Sequence, residues 1–581
     1  MRFSLRSRMS IPLLLVTAAV LVMGALLGTV VSRSAVVYAR ASPSLTTFQG
    51  QPGVVPLAYS GQLNLSGSGQ QAGASHPHPF IPVEVPRRAS SPAPVQGGAP
   101  LSTSTATGSG ASAVLHNFPG LNSVDHFKVN GFVVEPPDQG LCVGFLTGTK
   151  VVGEIINDVV AIYTPNGSLF SSKENLNVFF AEPPTEALTD PRCYFDPNTL
   201  AWFFTSLASP NPATFIPGHV DVAVLHPNLT KFVFRVDVTF AANAAGGCPC
   251  LGDQPKLGVD QNNVYISVDQ FNTAETLETG ADLIALSKSE LVAGSHATRE
   301  VVFLNLALAG IPVVGLQPAL TTSAANEEFL LNSFPFDAQG NNNSSSRTLG
   351  LWSLSDTASV TTGGVPTLSA MTITSELYTF PAAALTTNGL SLATFSNDSR
   401  MQQVQYIDGQ LWGALDTALL FKGSPVAFDG IAWFEIHPRV DSSGMIAGGT
   451  FTNQGYVGSE GNYLIYPAIE PTAAGTTGIA FSLTNPTLNP STGYVTRSPT
   501  SGSFSAIHIT AVGSGPDIGF TCALGFPQQC RWGDYSWAAP DPNGQDIWMA
   551  SEYIVPAIAT QVVKKMTFQT NWGTRVWDVA G

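Results

Sequence analysis

Five aspartates stand at matching distances ahead of five short apolar segments. Asp138 lies 13 residues before Val151, Asp190 11 before Ala201, Asp253 11 before Val264, Asp398 13 before Leu411 and Asp534 13 before Ile547. Four of them have a cation within three residues: Arg192, Lys256, Arg400 and Arg531. Only 11% of the chain is charged, against ~25% in ordinary globular domains, so these pairs are scarce material gathered at equivalent places. Asp before a strand caps turns, and a guanidinium beside a carboxylate ties neighbouring elements together by charge-assisted hydrogen bonds. The same forks, collected around one opening, hold a carboxylate or a sugar.

The elements that must position these groups repeat. VVGEIIN from Val151, AWFFTSL from Ala201, VYISVDQ from Val264, LGLWSLS from Leu349, LWGALDT from Leu411, IAFSLTN from Ile479 and IWMASEY from Ile547 start 50, 63, 85, 62, 68 and 68 residues apart. Asn341 to Ser346, NNNSSS, accounts for the longest gap. Turn residues enter several copies: Asp196-Pro-Asn198, Asp260-Gln-Asn-Asn263, Asp408-Gly409 and Asp541-Pro-Asn-Gly544. Second strands are expected at DVVAIY from Asp158, DVAVLH from Asp221, DLIALS from Asp282, IAWFEIH from Ile431 and FSAIHIT from Phe504. Turn-joined strands at this period, with no helical stretch between them, predict an all-β fold: a β-propeller of four-stranded antiparallel blades, seven by this count and six with an N-terminal closing strand as the alternative. Innermost strands then carry the five aspartates to one end of the central channel.

Composition agrees, with 55 Gly and 42 Pro in 581 residues and a formal charge of −15. Residues 1–41 hold five arginines and no acid, so the remainder is more acidic still and repels phosphate backbones; no nucleic acid partner is expected. Arg2, Arg6 and Arg8 precede an uncharged run from Ile11 to Val31, followed by Ala39-Arg40-Ala41. That pattern predicts a cleaved export signal over 1–41 or, since the run is long enough to span a bilayer, a retained N-terminal anchor as the only membrane contact. Residues 42–121, rich in Ser, Gly, Pro and Thr, are expected to be a disordered spacer, with the propeller over 122–581. The product would be secreted or displayed at the cell surface.

Six cysteines in an exported chain favour disulfides. Cys522 and Cys530 close a short loop and are expected to pair; partners for Cys142, Cys193, Cys248 and Cys250 stay open. Cys248-Pro-Cys250 lacks zinc-knuckle spacing. His76 and His78 fall in the spacer, and His116, His126, His219, His226, His296, His437 and His508 are scattered, so no metal is expected. Asp260, Asn262 and Asn263 lack the glycine and distal glutamate of a calcium loop. G-x-S-x-G, H-E-x-x-H and G-x-x-x-x-G-K-[ST] are absent, and no cofactor is expected.

PPDQGLCVG, DPRCYFDPNTLAWF, DQPKLGVDQNNVYIS, GADLIALSKSELVAG and RWGDYS, in that order over residues 130–555, resemble bacterial secreted propeller proteins of the sialidase-like, BNR type, many without an assigned activity. The resemblance implies an arginine cluster on a substrate carboxylate, a tyrosine nucleophile paired with a glutamate and an aspartate acid/base, parts in which Arg192, Arg400, Arg531, Tyr535 and Asp190 could be cast. The chain departs from it: no S-x-D-x-G-x-x-W repeat occurs, and no glutamate pairs visibly with Tyr535. The expectation is therefore an exported binding or scaffold module, taking a carbohydrate or protein ligand at the channel mouth, with glycoside hydrolysis as the alternative.

Overall fold

The computed structural model describes residues 44–65, 112–209, 218–240, 250–272, 278–337, 345–387, 391–392, 398–524, 529–563 and 566–581. They belong to the second of two compact units, Pro43–Gly581; the first, Met1–Ser42, lies outside the described residues, and the expected export segment with it.

Among the described residues the strands form seven antiparallel four-stranded meanders, spanning 139–175, 187–237, 250–308, 317–379, 404–457, 463–511 and 537–579. We read each as one propeller blade. The seventh takes its fourth strand from the N-terminal side: Val114–Asn122 pairs with Met566–Val579, Phe118 opposite Val576. Six of the seven repeated segments lie on the second strand of their meander; LGLWSLS lies on the third strand of the fourth, Ser345–Ser355, one strand after Glu328–Ser333, and this lengthens the gap before it. These strands are flanked on both edges and covered on both faces, which is why they read as near-continuous apolar runs. Asp408-Gly409 has positive φ at both residues, 47° and 81°, and makes the tight hairpin between Val404–Ile407 and Gln410–Leu420.

The first strands line the axis. Gln139–Leu146, Ala187–Asp196 and Cys250–Val259 stand side by side, and Leu320–Thr321 pairs in parallel with both Cys250–Val259 and Val404–Ile407. Tyr463–Pro471 and Trp537–Pro540 return the ring to Gln139–Leu146. The core lies between meanders: separate clusters join the first to the second, the third to the fourth, the fourth to the fifth, the fifth to the sixth and the sixth to the seventh. Trp202, Trp352 and Trp577 are fully buried in them, each large side chain contributing more than the ~1.5–3 kcal/mol of a buried Leu or Phe. Every blade thus depends on its neighbours.

Two expectations need correction. The stretch 42–121 is not a uniform spacer: Thr46–Phe48 pairs with the outer strand of the fourth meander, and Gln51–Gln62 lies between the outer strands of the second and third. Two edge strands with unpaired backbone groups hold this segment by main-chain hydrogen bonds, so it needs few apolar side chains, Val55 being its one buried residue. Residues 66–111 lie outside the described residues, and the folded ring begins at Val114 rather than 122. FSAIHIT, expected as the strand that follows the repeated segment IAFSLTN, is not that strand either. That strand is Leu488–Arg497; Phe504 fills the core from a loop, and the fourth strand is His508–Ala511.

Candidate functional site

The inner strands carry a repeated irregularity. Asp190, Gln254 and Tyr466 each have positive φ, each precedes a proline, and each sits in a bulge of the first strand of its meander. A bulge frees one backbone N–H. Asp190 donates its N–H to Asn157 Oδ1 at 2.9 Å, and Tyr466 donates to Asp416 Oδ1 at 3.0 Å. Other loops near the inner strands behave alike: Gly315 donates to Asp269 Oδ1 at 2.8 Å and Gly533 to Glu552 Oε2 at 2.7 Å. Asp269, Asp416 and Glu552 all stand five residues after the start of a repeated segment, at Val264, Leu411 and Ile547. This second row of acids escaped sequence reasoning; its signal was that constant offset inside strands that otherwise read as apolar.

Asp190 and Asp253 share an offset of 11, yet the bulge falls one residue later in the third meander. Gln254, not Asp253, occupies the bulge position that Asp190 holds in the second, because the strand is one residue shorter between bulge and hairpin. Asp253, half-buried, accepts the Gln254 N–H at 2.9 Å. Asp138, Asp190 and Asp534 do converge: their carboxylate oxygens lie within 4.8 Å of one another, from the first, second and seventh meanders, and all three are buried. Asp138 accepts the Asp534 N–H at 2.8 Å and Asn157 Nδ2 at 2.7 Å.

Cations divide the ring into two halves. In the closed half Arg400 grips Asp398 through Nε at 2.9 Å and Nη2 at 2.8 Å, and its Nη1 contacts Gln254 Oε1 and Asp269. Lys256 donates to Asp269 Oδ2 at 2.7 Å. These groups are buried and mutually satisfied, so they tie the third meander to the fifth. In the acid-rich half Arg192 lies over the ring of Tyr535, 3.2 Å from its centroid, and Arg531 reaches Asp534 Oδ2 at 3.4 Å while its side chain stays 20% exposed. Gln254 Nε2 donates to Asp534 Oδ2 at 3.3 Å and joins the halves. Tyr535 is buried, and its hydroxyl donates to the Pro191 carbonyl at 3.0 Å.

Burial pushes the Asp190 carboxyl well above the usual range, with Asp253 and Asp138 adding repulsion and Arg192 and Arg531 opposing it. Burial raises Asp138 as well, against the Asp534 N–H and Arg531. Glu552 is raised by burial and then by Asp517, Asp138 and Glu135, while burial pushes the Arg192 guanidinium down to about 10. The half therefore holds carboxyls raised by burial beside the buried Arg192 and the partly exposed Arg531, and presents both donors and acceptors. Cys522–Cys530 forms the expected disulfide just ahead of Arg531, and Cys142–Cys193 forms a second between the inner strands of the first and second meanders. An open surface cavity of about 360 Å3, lined by Gln261, Glu327, Asp356 and Ser443 among others, includes none of the ring residues.

No family model matches the chain, and no curated protein does. Similar solved structures include a Penicillium chrysogenum α-L-arabinanase complexed with arabinobiose, 10% identical over 67% of this chain and 92% of that one, TM-score 0.31. Trypanosoma rangeli sialidase is 10% identical over 71% and 56%, TM-score 0.32. The WD40 domain of SCAP from fission yeast is 9% identical over 76% and 84%, TM-score 0.29. At these TM-scores the likenesses carry no argument, and the propeller fold stands on the strand pairing above.

Proposed function

We propose that the chain is an exported binding module whose ligand site is the acid-rich half of the ring, Asp138, Asp190, Arg192, Arg531 and Asp534, and that the ligand is a carbohydrate. One observation carries this reading: three carboxylates from three blades converge within 4.8 Å beside a partly exposed guanidinium, whereas the opposite half is closed by bidentate pairing. Vicinal hydroxyls need donors and acceptors close together, and a mixture of protonated and ionised carboxyls with arginines supplies both. Export is supported by the two disulfides and by the N-terminal apolar run. The test is a glycan array with the full chain and with Arg531→Ala, a variant whose thermal midpoint should stay close to that of the parent. Binding should fall at least tenfold in the variant; equal binding would sink the site assignment.

Glycoside hydrolysis is the second reading, favoured by Asp190, whose carboxyl burial pushes well above the usual range beside Asp138 and Asp534, a direction that suits the acid of an acid and base pair. Tyr535 gives it no support as a nucleophile, since the hydroxyl is hydrogen-bonded to backbone and the ring is covered by Arg192. Turnover of a fluorogenic glycoside panel that disappears in Asp190→Asn would select this reading over simple binding.

A further inference from the structure

A second cluster of ligating groups lies away from the ring, at the junction of the first and second meanders. Glu182 and Glu186 belong to the segment between the short helix Leu176–Phe179 and the strand Ala187–Asp196; His219 and Asp221 begin the strand His219–Leu225. Nε2 of His219 is 3.2 Å from Glu182 Oε1, 3.5 Å from Asp221 Oδ1 and 4.0 Å from Glu186 Oε2. The Glu182 and Asp221 side chains are 1% and 0% exposed. The Asp221 carboxylate, aimed at His219, has no close hydrogen bond and meets its neighbours only at 3.5 Å from His219 Nε2 and 3.8 Å from Arg235 Nε. A buried carboxylate left so is costly unless something else satisfies it.

We propose that His219, Glu182 and Asp221, with Glu186 as a fourth donor, bind a divalent transition-metal cation. A tetrahedron with bonds of ~2.1 Å has edges of ~3.4 Å, and the separations of 3.2 and 3.5 Å fit such edges. Ligand atoms of His219, Glu182 and Asp221 all lie within 4.8 Å of one another. One imidazole and three carboxylates form a nitrogen and oxygen donor set suited to zinc, manganese or cobalt. Charge points the same way. Three carboxylates face one guanidinium, Arg235, whose Nε contacts Glu182 Oε1 and lies 3.8 Å from Asp221 Oδ1. His219 and Glu186, 17% and 16% exposed, form the side open to solvent.

The test uses the full chain stripped with a chelator and titrated with Zn2+, Co2+ and Ca2+. One equivalent of Zn2+ should bind and raise the thermal midpoint, Co2+ should give visible d–d absorption, and Ca2+ should bind more weakly than Zn2+. His219→Gln should weaken Zn2+ binding at least tenfold and abolish the cobalt bands. Glu186→Gln changes only a partly exposed group, so it keeps the test open if His219→Gln fails to fold, and it should weaken binding several-fold. No uptake of Zn2+ or Co2+ by the folded chain would overturn the proposal. So would uptake unchanged in both variants, or uptake lost in Asp190→Asn and kept in His219→Gln, which would move the ion to the channel.

Discussion

Arg400→Met tests whether the closed half of the ring is structural. Methionine keeps much of the apolar stem and removes the guanidinium, so Asp398, with 2% of its side chain exposed, loses its two-pronged partner. Asp269 is less affected, because Lys256 and the Gly315 N–H remain. The Asp398 carboxylate keeps the backbone N–H of residue 400 at 2.8 Å but loses its charge partner in a buried site, a loss of about 3–5 kcal/mol. Unfolding entropy of ~2 cal/mol/K per residue, over a domain of roughly 450 residues, converts this to a drop of only ~3–5 °C in midpoint. Denaturant titration is therefore the sharper assay, and the double variant Arg400→Met/Asp398→Asn should regain part of the loss. Arg531→Ala, which breaks the 3.4 Å contact with Asp534 on a side chain 20% exposed, should lose no more than about 1 kcal/mol. An Arg400→Met loss below about 1 kcal/mol, or a double variant no more stable than the single one, would refute the structural role.

Three further outcomes follow from the same geometry. Burial lifts the Asp158 carboxyl to about 7, above its unfolded value of ~4, so the stability it confers is complete below pH ~4 and is lost as pH rises through 7. Asp158→Asn, which suits the local φ of 63°, should flatten that decline and gain up to ~4 kcal/mol at pH 8 relative to pH 4 in paired denaturation curves; parallel pH profiles would rule this out. Loop-closure entropy assigns ~4 kcal/mol to Cys142–Cys193 and ~2.5 kcal/mol to Cys522–Cys530, from separations of 51 and 8 residues, so the Cys142→Ala/Cys193→Ala pair should cost more in unfolding experiments, and the reverse order would count against the model. Removing residues up to 65 should bare the outer strands of the second and third meanders and cause self-association in light scattering; a fully monomeric truncation would show that those edges need no cover.

What could be read from the chain depended on whether a pattern was local. The second strands were legible because burial on both faces forces apolar runs such as AWFFTSL, and their period declared the repeat. Gln51–Gln62 was not, since its stability comes from two foreign strand edges rather than from its own side chains. Phe504 misled for the opposite reason: it is buried like a strand residue while its backbone is loop.

The ring shows the same division more sharply. Similar offsets, 11 to 13 residues, pointed to Asp138, Asp190 and Asp534 together, since symmetry carries similar positions along the chain to similar radial positions. Offsets say nothing of partners, because the pairing runs across blades: Arg400 meets Asp269 over 131 residues, and Asp138 meets Asp534 over 396. One residue fewer between bulge and hairpin then shifts the register, so Gln254 rather than its neighbour Asp253 takes the position facing Asp534 and Arg400. That substitution of an amide for an acid allows the closed half to be neutral. Arg400 and Lys256 balance Asp398 and Asp269, and Gln254 needs no counter-ion. In the second meander the same bulge carries Asp190, whose charge Arg192 and Arg531 must share with Asp138 and Asp534. The excess of acid on that side follows from one residue choice at one bulge, and Asp190→Gln should therefore make the acid-rich half resemble the closed one, with gained stability and lost ligand binding.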